Sequence, residues 1–281
     1  MLTRADLPQI HITRRAGPTL LGTVRVAGRI LLVAGLVVAG FLAQQLWLTS
    51  ALAQRAQGGL SEALDERIAA TAPIEVVYEP ADLPASPFQA DAAALEGASP
   101  AAAPFAGTPE RTVPEAAAAP AGTGAEPESP AATLVTEPAP ERGEPMARLV
   151  VPAAGIDWTV VEGADRADLR SGAGHMPETA LPGQPGNAVF SGHRTTYGAP
   201  FQHLDRLAPG DLVTVETASG THVFAVVESL IVEPRDTWVT DQWRGSWLTL
   251  TTCHPRFAAT ERLVVVSRLV DGPNADILAR S

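Results

Sequence analysis

The chain has 281 residues and a formal net charge of −11, with 20 Arg, no Lys and one Cys. One cysteine excludes an intrachain disulfide, and the absence of a basic stripe excludes the electrostatic footprint of a nucleic-acid-binding protein. The charge is uneven: residues 1–78 carry +2, 79–145 carry −9 and 146–281 carry −4.

Residues 1–29 are polar and positive, with Arg4, Arg14, Arg15, Arg25 and Arg29 against Asp6. From Ile30 to Gln54 no charge appears, and the apolar stretch to Leu48 is about 19 residues, enough to cross a hydrocarbon core of about 30 Å. Trp47 suits an interfacial anchor, and the excess of Arg ahead of the span places the N-terminus in the cytoplasm. Ala51-Leu52-Ala53 resembles a signal-peptide cleavage site, but the apolar run exceeds the usual 7–15 residues of such a signal, so an uncleaved signal-anchor over 30–50 is expected. Both readings export the remainder.

Leu60, Leu64 and Ile68 have helical spacing and predict a short juxtamembrane helix. Residues 80–145 hold thirteen prolines, many alanines and a strong acidic excess. Such a segment buries too little apolar surface to offset its chain entropy, and reads as an extended linker that completes a 51–145 spacer. As a flexible coil its roughly 66 residues would reach about 45 Å.

The predicted folded domain covers 146–271. Ala147–Val151, Asp157–Val161, Asn187–Ser191, Asp211–Thr217, Thr221–Val232, Trp247–Thr252 and Arg262–Leu269 read as strands, with Ser219-Gly220 as a hairpin turn. Arg166–Ser171 and Pro200–Leu207 read as helical, and Gly172–Pro177 as a loop. Seven or eight short strands over about 125 residues predict an all-β domain, a closed or nearly closed barrel with short helices. Residues 272–281 read as a polar tail.

The only cysteine, Cys253, ends a predicted strand. A thiol is a weak nucleophile at neutral pH unless a base or a lowered pKa activates it. Of six histidines, His11 lies on the cytoplasmic side. His193 has the best context: it ends an apolar strand after Ser191-Gly192, where a small residue permits close approach, and precedes the polar loop containing Tyr197. His175, in a glycine-rich loop beside Met176, is the second candidate and suits a groove lining. His254 points away from Cys253, His203 falls in the predicted helix, and His222 sits inside a strand. Arg262 opens the next strand. A solvated strand-end charge and a donor fork aimed near Cys253 both fit it; antiparallel pairing would bring it within reach of the thiol. Thr251 and Thr252 alternate sides, so one shares the thiol's face. No His/Cys/Asp cluster has metal-ligand spacing.

Thr249-Leu-Thr-Thr-Cys-His-Pro255 with Arg262-Leu-Val-Val resembles the Thr-Leu-x-Thr-Cys motif and trailing arginine of sortases, and Ser191-Gly192-His193 matches their small-Gly-His motif. The run Gly192–Phe201 is most similar to class E sortases of high-GC Gram-positive bacteria. The resemblance spans Ala147–Leu269. It implies an eight-stranded sortase barrel and a cysteine transpeptidase without cofactor or metal. Cys253 would be the nucleophile, His193 the general acid and base, and Arg262 the oxyanion and carbonyl holder. Thr251, Thr252, His175, Met176 and Tyr197 would be substrate-binding. The implied partners are secreted proteins with a C-terminal LPxTG or LAxTG sorting signal, and an amine of a peptidoglycan precursor or pilin. Met176 stands where class E relatives carry an aromatic, and the Asp-Pro-aromatic lid of class C enzymes is missing. An L,D-transpeptidase would want a Ser-His-Gly-Cys run, and a papain-like protease its Cys ahead of its His. A non-enzymatic surface barrel with an inert thiol is the remaining alternative.

Overall fold

The computed structural model describes residues 20–78, 83–88 and 132–280. Residues 1–19, with His11, Arg4, Arg14 and Arg15, and most of the Pro/Ala tract lie outside the described residues, as does the side chain of Trp47. The chain divides into two compact units, Met1–Trp47 and Leu48–Ser281.

Helix α1 runs over Leu20–Ala70. In the first unit, Gly22–Phe41 is long and apolar enough to cross a membrane, with a mean hydropathy of 1.9, and side chains such as Leu31, Leu36 and Phe41 are exposed. This window begins earlier than the expected 30–50. Gln44 and Gln45 interrupt the later part, whereas Arg25 and Arg29 sit among aliphatic residues of the earlier one.

In the second unit, eight strands close a barrel in the order β10-β8-β7-β3-β4-β5-β6-β9. They are β3 (Pro145–Val151), β4 (Ile156–Glu162), β5 (Ala173–His175), β6 (Gly186–Gly192), β7 (Leu212–Thr217), β8 (Gly220–Val232), β9 (Ser246–His254) and β10 (Glu261–Asp271). The period-two alternation decides which face of each strand is inside. Leu248 and Leu250 of β9, Leu263 and Val265 of β10, and Ala188 and Phe190 of β6 fill the barrel core. The β4–β5 and β6–β9 pairs are parallel and the other barrel pairs antiparallel.

Several expectations are corrected. Ala173–His175, expected in a loop, forms β5, because three residues of β4 still lacked a partner on that side. The hairpin turn is Ala218-Ser219, with Gly220 already paired to Thr217. The helix expected over Pro200–Leu207 is a single 3-10 turn, Leu204–Arg206; the Phe201 N–H instead donates to the His193 carbonyl. The expected polar tail contains a short helix, α2 (Ala275–Leu278), whose Leu278 is buried in the core.

The region expected as spacer is structured at both ends. β1 (Ile74–Tyr78) and β2 (Ala132–Thr136) pair antiparallel, with Tyr78 opposite Ala132. The two ends of the Pro/Ala tract therefore lie one strand spacing apart, about 5 Å, rather than separated by a coil's reach. Within that region Phe88 packs among Trp238, Trp243 and Trp247, and the Pro84 carbonyl accepts the Arg244 N–H.

The second-unit part of α1 docks on the barrel. Ala53 and Leu64 are buried, and Gln57 acts as a surrogate strand amide. Its Oε1 accepts the Thr159 N–H at 2.7 Å, while Nε2 donates to the carbonyls of Thr159 and Ser171. Thr159 is the residue of β4 just before the β5 ladder begins, so the glutamine satisfies backbone groups the sheet leaves open.

His222 is fully buried on β8. Its Nε2 lies 3.2 Å from Ser219 Oγ, and its Nδ1 makes no hydrogen bond among the described residues. Burial pushes its pKa from 6.5 down to about 4. The unfolded chain takes up this proton near 6.5 and the folded chain not until about 4, so stability is full above that window and lost as pH falls through it. The expected loss is up to about 3 kcal/mol. Urea midpoints at pH 7 and pH 4.5 should show this fall, and His222→Gln should flatten it; equal pH dependence in both proteins would contradict the assignment.

Candidate active site

The site lies at one end of three adjacent strands, β6, β9 and β10. Register pairs Cys253 directly with Arg262, so both side chains stand on the same face. That face is the outer one, because their neighbours Leu263 and Thr252 belong to the opposite side. On the other flank of β9, the parallel ladder ends with Ser191 beside Thr251. Continued two residues further, that register would set His193 beside Cys253 on the same outer face; the Thr252 Oγ1 bond to the Gly192 carbonyl at 2.7 Å and Arg194 Nη1, 3.5 Å from the Cys253 carbonyl, hold the two strand ends together there. Thiol and guanidinium thus share one rung of β9–β10, about 5 Å apart in the backbone, and the imidazole follows the end of the neighbouring strand β6.

Cys253 is free and half-buried. His193 is also half-buried; its Nε2 is enclosed and has no hydrogen-bond partner among the described residues. Burial, reinforced by the charge of Arg166, pushes its pKa below the ordinary histidine value. A neutral imidazole is the form that can take a proton from a thiol. Tyr197 packs against the ring at 4.9 Å between centroids, tilted by 35°. Arg262 uses only Nη1 for protein bonds, to the carbonyls of Ala259 and Glu261.

The loop holding His193 is locked by close packing. A Cβ on Gly192 would meet the Phe201 ring at 2.8 Å, so the residue before His193 must be glycine. Gly198 has φ of +77°, and a Cβ there would meet Trp158 at 2.3 Å.

Not every residue expected at the site belongs to it. His175 is 2% exposed, with Nδ1 2.7 Å from Glu162 and Nε2 2.9 Å from Thr179 Oγ1, so it neither lines a groove nor serves as a free base. The sheet pairing of β5 turns it inward. Thr252 is buried and donates to the Gly192 carbonyl at 2.7 Å, which fixes β9 against β6 instead of facing substrate. Thr251 is the threonine that shares the thiol's face. Met176 is half-buried next to β5, with its N–H bonded to the Val189 carbonyl.

Residues 149–270 match the sortase domain family. The chain is 31% identical over 147 residues to sortase SrtE1 of Streptomyces coelicolor, covering 47% of this chain and 42% of that protein. It is 34% identical over 117 residues to sortase D of Bacillus subtilis, covering 41% of this chain and 58% of that one. Residues 149–270 form a sortase domain. The family's members are cysteine transpeptidases. Among solved structures, sortase E1 of Streptomyces coelicolor with a tripeptide in its active site is similar at 30% identity, over 48% of this chain and 93% of that one, with a TM-score of 0.44. The chain spans about half the length of the curated relatives it matches.

One part of this sortase site escaped the sequence reading. Arg194 is only 4% exposed. Its Nη1 lies 2.7 Å from His254 Nδ1 and 3.5 Å from the Cys253 carbonyl, and its Nη2 is 3.2 Å from Asp205. In the sequence it looked like one more polar loop residue; its place immediately after His193 was the available signal.

Proposed function

We propose that the chain is a membrane-anchored sortase that cleaves the Thr–Gly bond of an LPxTG- or LAxTG-type signal and transfers the threonyl end to an amine. What supports this reading is the Cys253–Arg262 rung at the end of β9 and β10, with His193 just past the end of neighbouring β6. In the first step His193 accepts the thiol proton and the thiolate attacks the threonine carbonyl. The oxyanion is held by Arg262, whose Nε and Nη2 make no hydrogen bond among the described residues. Collapse breaks the C–N bond, and the imidazolium gives its proton to the departing glycine amine. The thioacyl enzyme is then attacked by an incoming amine that loses its proton to His193; the protonated imidazole returns that proton to the cysteine sulfur as the thioester breaks.

Gly22–Phe41 would be the anchor, with the N-terminus cytoplasmic and the barrel outside, as the Arg excess ahead of the span favours. Substrates would be exported proteins with a C-terminal sorting signal, and the acceptor a cell-wall precursor or pilin amine. Met176 beside β5 leaves the second signal residue, Pro or Ala, to be decided by assay. The half-buried position of Cys253 opposite the Arg262 guanidinium favours a reactive thiol over an inert scaffold cysteine.

The test is a peptide panel. The full chain in detergent micelles, given LPxTG and LAxTG peptides with glycine or a diamine, should yield transfer products by mass spectrometry. Arg262→Lys should lose about 10²-fold in kcat, since a point charge does not reproduce the planar fork. Absence of cleavage across the panel by folded protein would overturn the reading; undiminished activity in Arg262→Lys would remove Arg262 from the oxyanion role.

A further inference from the structure

The β6–β9 ladder stops at Ser191 and Thr251, two residues short of the rung at which continued register would set His193 beside Cys253. Backbone hydrogen bonds therefore do not set the spacing between imidazole and thiol. Side chains on the inner face take over. Thr252 Oγ1 bonds the Gly192 carbonyl just before the rung, and Arg194 reaches the Cys253 carbonyl and His254 just after it. The same guanidinium is held from the far side by Asp205, which also lies 3.6 Å from Arg256.

Burying this arginine is unfavourable for folding alone. Among the described residues its Nε has no partner, and Asp205, the carboxylate that pairs with it, is 42% exposed, so the ion pair is partly screened. A guanidinium also only donates. Nδ1 of His254 is thus the acceptor of the 2.7 Å bond, which places that ring's proton on Nε2 and fixes the ring directly behind the nucleophile.

We propose that Arg194 is a positioning residue that sets the His193–Cys253 separation from behind, by tying the residue after the base to the carbonyl and successor of the nucleophile. The proposal rests on the sortase reading for its kinetic arm only. Without the tie the two strand ends move independently, and the imidazole is less often placed to take the thiol proton.

The test uses the full chain in detergent micelles and compares wild type with Arg194→Met, which keeps the apolar stem and removes the donors, and Arg194→Lys, which restores one. Arg194→Met should lower kcat about thirty-fold while KM stays within about two-fold, and Arg194→Lys should regain part of the loss. Alkylation of Cys253 by iodoacetamide at pH 7 should slow about five-fold in Arg194→Met, because less thiolate is formed. Wild-type kcat and alkylation rate in a folded Arg194→Met protein would overturn the proposal. So would a loss of kcat that merely tracks the unfolded fraction with no recovery in Arg194→Lys. Should Arg194→Met fail to fold, Asp205→Asn frees the guanidinium's outer anchor. It should slow alkylation about two-fold; an unchanged rate there would count against the tie. Alkylation needs no sorting peptide, so it decides the role of Arg194 even if every peptide in the panel fails and the sortase reading falls.

Discussion

Cys253→Ala is expected to abolish both cleavage and transfer of sorting peptides, with a loss of about 10⁴-fold or more in kcat/KM. The size follows from the position of the thiol. Cys253 stands directly opposite Arg262 and is the chain's only cysteine, so no second sulfur can form the acyl bond. Neither flank can substitute: Arg262 stays protonated and is no nucleophile, and an amide formed on His193 would need a different geometry. The fold should survive the change. Cys253 is half-buried at the end of β9, and no hydrogen bond involving its sulfur holds the strand, so the melting temperature should shift by only a few degrees. Cleavage at the wild-type rate by Cys253→Ala would end the assignment.

His193→Ala is expected to cost about 10³-fold in kcat/KM, with normal folding. The other histidines do not fill the gap. His175 was the second candidate by sequence, yet it is buried with both ring nitrogens engaged by Glu162, Thr179 and Ala180. His254 adjoins the thiol in sequence but lies on the opposite face, held by Arg194. His203 is bonded to Arg256, and His222 is inside the barrel. The loss should be largest in the first-order formation of the thioacyl enzyme, where the thiol must give up its proton. Near-normal turnover in a folded His193→Ala protein would mean that the thiol is activated without this imidazole.

The strands of the barrel were legible because their apolar residues alternate, and β9 and β10 could be paired correctly from the short turn between them. Such pairing brings Arg262 within reach of Cys253, and the register sets the two directly opposite. The parallel partnership of β6 with β9 was not legible, since it joins residues about sixty apart with two strands, β7 and β8, between them, and only the family motif connected them. His175 was misjudged because three residues, Ala173–His175, are too few to show a period, and the neighbouring glycines look like a loop. The pairing of β1 with β2 was hidden for a different reason. Each strand is five residues long, and the Pro/Ala-rich composition between them dominated the reading of the whole region. Arg194 was missed because a charged residue after a glycine-histidine pair reads as solvated; its burial depends on Asp205 and His254, which the fold brings in from separate turns.

The most direct test of the central claim is the intact mass of the full chain after incubation with an LPxTG or LAxTG peptide in the absence of an acceptor amine. The account predicts an adduct equal to the peptide's acyl portion ending at threonine, located on Cys253, lost on addition of a diamine, and absent in Cys253→Ala. Transfer product formed with Cys253 unmodified throughout, or an adduct that persists in Cys253→Ala, would contradict it.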